Sequence, residues 1–184
     1  MEKRMAVLQR WLGIAGIVAF ALMAAYAFGM ATPAAACLYY NDTINFYKDI
    51  QGYNNAILVF SIVGLLISAF YGVLRSAIRK VYYISNFIIT GLLAGILAAS
   101  GIDLFIGVSV YQQKYYALPF DAMNAYWKDH TQTTRINPYT PVFGLGYVLA
   151  GLLLVLSVLA LISLVYKILS RIRYEKTKNQ TKEA

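Results

Sequence analysis

The sequence predicts an all-α integral membrane four-helix bundle, and three observations carry that prediction. First, composition lies far from that of a soluble domain: 60% of residues are hydrophobic, 13% are charged and mean hydropathy is +0.58, against an apolar share of about 45–50% in ordinary globular chains. Second, four apolar runs are each near the ~20 residues that ~30 Å of hydrocarbon demands at ~1.5 Å per residue. Third, lysines and arginines collect beside alternate ends of those runs, as orientation by positive charge requires.

Helix one is expected over about 11–31, beginning at Trp11. A cleaved secretory signal is the competing reading, because basic residues precede the run and small residues precede Cys37. The run exceeds the ~7–15 apolar residues of a signal core, so a retained span is preferred. Helix two is expected over about 56–74, helix three over 83–110 and helix four over 142–166. Pro33, Pro119, Pro138 and Pro141 all fall outside these runs, where a missing amide leaves no backbone group unpaired in lipid. One four-span domain, 1–170, is followed by a basic tail, 171–184.

Twelve of the 16 basic residues lie on one side: Lys3, Arg4, Arg10, Arg75, Arg79, Lys80, Lys167, Arg171, Arg173, Lys176, Lys178 and Lys182. Lys48, Lys114, Lys128 and Arg135 lie on the other, offset by Asp42, Asp49, Asp121 and Asp129. Both termini are therefore expected in the cytoplasm, in the plasma membrane of the cell. The formal net charge of +8 is read as a topology signal and as attraction to anionic lipid, and no nucleic-acid partner is expected.

Two extracytoplasmic loops, 32–55 and 111–141, are longer than connectors usually are. A short amphipathic helix is expected in each: one capped by Asn41 or Asp42 and stopped at Gly52, the other started by Pro119-Phe120-Asp121. Nine of the 16 tyrosines fall in these loops. An aromatic belt at the headgroups is the plainer explanation, and Tyr115, Tyr116, Tyr126 and Trp127 are the expected partner surface if the loops do more.

Small residues at four-residue spacing let helices approach closely in lipid. The expected packing positions are Gly64, Ser68 and Gly72 in helix two, Gly91, Gly95 and Ala99 in helix three, and Gly146 and Ala150 in helix four. Ala21, Ala25 and Gly29 in helix one belong to the same class.

Asp103 is the acidic side chain inside an apolar span. A charged carboxylate at mid-span costs roughly 2.5–3.5 kcal/mol on insertion scales unless protonated or paired. Eight residues before Tyr111, it lies ~12 Å below the end of its helix. Tyr147, Tyr26 or a loop cation are the expected partners. A satisfied structural carboxyl is favoured over a proton or cation site, since no chain of further ionisable groups accompanies it.

Other chemistry is thin. One cysteine, Cys37, and one histidine, His130, make neither an intrachain disulfide nor a histidine-rich metal site. Asp129 and His130 are neighbours in sequence and point apart on a helix, so no catalytic residue, metal or cofactor is assigned. Four spans with internal termini and two larger outer loops resemble the tetraspan families (claudins, tetraspanins, MARVEL proteins) in architecture. The claudin cysteine pair and the tetraspanin cysteine–glycine motif are missing here, so no functional residue is carried over. The expected function is a non-catalytic membrane subunit or scaffold that assembles with other membrane proteins, or with copies of itself, through small-residue helix faces and aromatic loops. The alternative is a small oligomeric channel or transporter using Asp103.

Overall fold

A computed structural model describes residues 2–31, 41–74, 83–129 and 141–183, with side chains from 5–30, 46–74, 83–125 and 141–180. The described chain is helical: α1 (Glu2–Ala31), α2 (Asn41–Val73), α3 (Tyr83–Tyr116), α4 (Phe120–Asp129) and α5 (Val142–Glu183). α1, α2, α3 and α5 are long and apolar enough to cross a membrane. α1 packs on α2, α2 on α3, α3 on α5 and α5 back on α1. α1 and α5 therefore place both chain ends at one end of the bundle, called here the terminal end; the opposite end is the loop end.

All four long helices run beyond the apolar cores read from sequence. α2 passes through Gly52 without a break, so Asn41 opens the same helix whose apolar part is long enough to cross a membrane. A glycine in a helix interior costs only about 1 kcal/mol relative to alanine; the turns on either side, with Phe46, Ile50, Asn54 and Ile57 buried in phase, outweigh it. α5 continues from Tyr166 to Glu183. Proline marks two starts: Met123 donates its amide to the Pro119 carbonyl at 3.0 Å and Leu145 donates to that of Pro141 at 3.0 Å. At those positions the missing proline amide leaves no helical bond unmade.

Glycines bring α1 and α2 into backbone contact. A Cβ on Gly13 would stand 2.9 Å from the Gly72 Cα, and one on Gly64 would collide with the Phe20 ring. Between α3 and α5, a Cβ on Gly101 would stand 2.9 Å from Leu154 Cγ and 3.1 Å from the Ala150 carbonyl. At the loop end a Cβ on Gly146 would meet Val108 and the Tyr26 hydroxyl. Elsewhere the small residues point out: Gly95 and Gly29 have no atom within 4 Å of that position, and Gly91 meets only Leu164 at 3.9 Å. The buried stripe of α3 is instead Asn86, Thr90, Leu93, Leu97, Gly101, Leu104, Val108, Tyr111 and Tyr115. Ala99 lies half-buried at its edge.

Midway along the bundle, Phe20, Met23, Ile57, Leu93, Leu97 and Leu153 are fully enclosed and form a mainly apolar layer. The outer surface is apolar too, with Trp11, Leu66, Val148, Val155 and Ile162 all more than half exposed. Soluble monomers rarely expose contiguous apolar patches beyond a few hundred Å², so this surface is suited to hydrocarbon rather than water.

At the loop end Tyr115 is 4% exposed, with ring centroids 5.2 Å from Phe120 and 5.4 Å from Phe143. It joins α3, α4 and α5 as core and offers no surface to a partner. Tyr116 is exposed. The side chains of Tyr126 and Trp127, together with Cys37, His130 and the basic connection 75–82, lie outside the described residues.

Candidate functional site

Hydrogen-bonded clusters of polar side chains form at the two ends of the bundle, with single buried serines such as Ser61 and Ser157 between them. At the terminal end, Lys167 of α5 is 1% exposed. Its Nζ donates toward four neutral oxygens: Asn86 Oδ1 at 2.7 Å, Thr90 Oγ1 at 2.9 Å, Gln9 Oε1 at 3.1 Å and the Tyr71 hydroxyl at 3.3 Å. The same ammonium stands 4.9 Å from the Tyr71 ring centroid, close enough for a cation–π attraction. One residue therefore ties together α1, α2, α3 and α5.

The direction of donors around Lys167 is self-consistent. Asn86 Nδ2 donates to Gln9 Oε1 at 3.2 Å, so that oxygen accepts twice. Gln9 Nε2 then donates to the carbonyls of Tyr71 at 2.9 Å and Leu74 at 2.7 Å. Those carbonyls belong to the last turn of α2, where four C=O groups lack intrahelical donors. Gln9 thus caps α2 from α1. Thr90 donates its hydroxyl back to the Asn86 carbonyl at 2.6 Å. An ammonium has three protons and no acceptor, so four oxygens more than satisfy it; no carboxylate is among them.

One turn beyond, the Arg171 guanidinium stacks 3.9 Å over the Tyr83 ring and pairs with Glu175 at 2.7 Å. That contact holds the outer part of α5 against the start of α3.

At the loop end, Tyr111 donates to Asn54 Oδ1 at 3.2 Å, and Asn54 Nδ2 donates to the Ala27 carbonyl at 2.9 Å. These bonds link α3, α2 and α1. Tyr147 donates to Gln112 Oε1 at 3.0 Å, with its ring tilted against Phe105. The Tyr26 hydroxyl is buried against Gly146 without a hydrogen bond. Lys114 pairs with Asp49 at 2.8 Å, each about half exposed; such surface pairs contribute about 0–1 kcal/mol.

Asp103 lies beside this group, within electrostatic range of Tyr111, and bonds to none of it. Its Oδ2 is enclosed and has no hydrogen-bond partner. The residue as a whole is partly exposed. Of the hydroxyls that sequence nominates for it, Tyr147 is committed to Gln112, and Tyr26 makes no bond. A cleft of about 410 Å³ at the same end is lined by Met30, Tyr47, Lys48, Ile50, Gln51, Asn54 and Asn55.

Sequence reasoning placed Lys167 among the basic flanks, and the lysine cage went unseen. The signal was nonetheless present. Gly146, Leu149, Leu153, Leu156, Ala160, Ser163 and Lys167 recur three or four residues apart, so Lys167 is in phase with the apolar stripe that α5 buries. Gln9 is likewise in phase with Leu12, Gly16, Phe20 and Met23, as Asn86 and Thr90 are with Leu93 and Leu97.

No group of three or more His, Cys, Asp or Glu side chains that might hold a metal ion occurs among the described residues. No protein-family model, curated protein or solved structure matches the chain.

Proposed function

We propose that this protein is a non-catalytic subunit or scaffold of the plasma membrane, with both termini in the cytoplasm, that assembles with other membrane proteins. The observation that supports this reading is how the bundle uses its polar residues. The two hydrogen-bonded clusters are separated by an enclosed, mainly apolar layer of Phe20, Met23, Leu93, Leu97 and Leu153, whose buried serines Ser61 and Ser157 are bonded to backbone carbonyls. Lys167, Gln9, Asn86 and Thr90 spend their hydrogen bonds on one another and on the end of α2, which fixes helix positions and leaves no open acceptor for a substrate. At its surface the bundle leaves outward glycines such as Gly95 without a neighbour and the partly exposed Asp103 unpaired, while the hydroxyls of Tyr26, Ser68 and Ser100 are unpaired inside it.

Purification from its native membrane in mild detergent tests the proposal. The expected result is a second membrane protein in fixed stoichiometry, cross-linkable to residues introduced on the outward faces of α3. A lone, monodisperse chain would overturn it. Ion flux in liposomes from the purified chain alone would instead favour the channel reading, with Asp103 on the lining of an oligomeric pore.

A further inference from the structure

Asp103 is left by its own chain with an unmet requirement, and the surface around it indicates what meets it. We infer that the flank of α3 bearing Asp103 receives a membrane-spanning helix of a different protein, one carrying a lysine or arginine in the half of the bilayer nearer the loop end. This rests on the scaffold reading and gives the partner its chemistry.

Three observations carry the inference. The first is that Asp103 has no hydrogen bond among the described residues: Oδ2 is enclosed and unpaired, while the residue as a whole is partly exposed. Of the groups at this end, Tyr147 is committed to Gln112, Tyr111 to Asn54 and Lys114 to Asp49, while the Tyr26 hydroxyl, enclosed at Gly146, bonds neither to Asp103 nor to anything else. Intramembrane acids are ordinarily paired, and among the described residues no cation is bonded to this one.

The second observation is steric. Gly95 and Ala99 precede Asp103 by two turns and one turn on neighbouring rows of α3. Gly95 has no atom within 4 Å of where a side chain would begin, and Ala99 is half-buried. Small residues at that spacing let a second backbone come close, near enough for a cationic side chain to reach the carboxyl. Gly107, one turn after Asp103, faces Ile57 and Tyr53 of α2, so the site is a groove flank where α3 meets α2 and not a flat face.

The third observation points away from a second copy of this chain. No lysine or arginine lies in 11–31, 56–74, 83–110 or 142–166. The buried lysine, Lys167, is held by Thr90, thirteen residues or ~20 Å along α3 from Asp103, in a cage that admits no exchange of partner. A symmetric pair of copies would bring carboxyl against carboxyl.

A guest-helix experiment tests this. The full chain is reconstituted in phosphatidylcholine bilayers with a labelled single-span leucine–alanine helix. That helix carries one lysine about eight residues from its loop-side end, or leucine at the same position, and association is read by energy transfer. The expected result is about tenfold tighter association of the lysine helix, the scale of one interhelical polar contact. Asp103→Asn should remove most of that preference. Gly95→Leu should weaken both guests while leaving the thermal unfolding of the bundle unchanged. Moving the lysine two turns toward the far end should lose the gain.

Equal binding of the two guests, a lysine preference that survives Asp103→Asn, or self-association of the chain that depends on Asp103 would each overturn the inference. The scaffold reading fails separately. A native partner that copurifies equally with wild type and Asp103→Asn preserves the scaffold and removes this site; a lysine-guest preference without any native partner does the reverse.

Discussion

A single ammonium inside an apolar bundle is an unusual anchor, because a buried cation is costly unless its protons are all taken up. Lys167 meets that condition with neutral oxygens from three other helices. Replacing it with methionine would remove the charge, and in many proteins exchange of a buried ionic group for a hydrophobic one is neutral or stabilising. Here the opposite is expected, because the acceptors stay behind: each buried oxygen left without a donor costs about 1–3 kcal/mol. Lys167→Met should therefore lower the unfolding temperature in detergent by several degrees, whereas Lys176→Met, on the exposed stretch of α5, should not move it. If Lys167→Met and Lys176→Met unfold alike, the cage does not hold the bundle. Tyr71→Phe isolates one arm and should cost about 0.5–1.5 kcal/mol, the scale of one hydrogen bond.

At the level of elements, close approach between α1 and α2 depends on glycines that face each other. Gly13→Leu must push apart backbones already in contact at Gly72, and overpacking of that kind costs about 1–3 kcal/mol. Gly29→Leu, on the same helix but in open space, should be neutral. Thermal unfolding of the two variants side by side checks this, and equal destabilisation would show that α1 is not seated as described. The same contrast explains what could be read from sequence and what could not. Apolar length alone located all four long helices, because hydrocarbon thickness acts on every residue of a span. Which small residues face inward depends on the rotation of each helix about its axis, and four-residue spacing occurs on several faces at once. Gly64, Ser68 and Gly72 lie at the α1–α2 contact, but Gly91 and Gly95 do not face the core and Gly13 and Gly16 were passed over. Lys167 was hidden for a related reason: basic residues beyond a span are ordinarily topology signals, and only their phase with the buried stripe distinguishes a caged lysine from a solvated one.

On the scale of the whole molecule, α5 has 42 residues, about 63 Å of helix at ~1.5 Å per residue, against ~30 Å of hydrocarbon. The apolar stripe begins at Val142, so the excess projects at the terminal end, where Arg173, Lys176 and Lys178 are exposed. Helix that leaves the bilayer on the cytoplasmic side meets anionic headgroups, each basic residue near that surface contributing about 1 kcal/mol; on the opposite side it gains nothing of the kind. This asymmetry, together with the bias of basic residues to one side, makes the orientation testable with the chain's one cysteine. Cys37 belongs by sequence to the first loop on the far side, so a membrane-impermeant maleimide should label it in intact cells. In a Cys37→Ser chain that also carries Lys178→Cys, labelling should require permeabilisation. If both sites label from the same face, an even number of crossings separates them instead of the proposed three, and the four-span topology is wrong. If the two accessibilities are exchanged, the bundle stands but is inverted, and the cationic partner of Asp103 must be sought in the opposite leaflet.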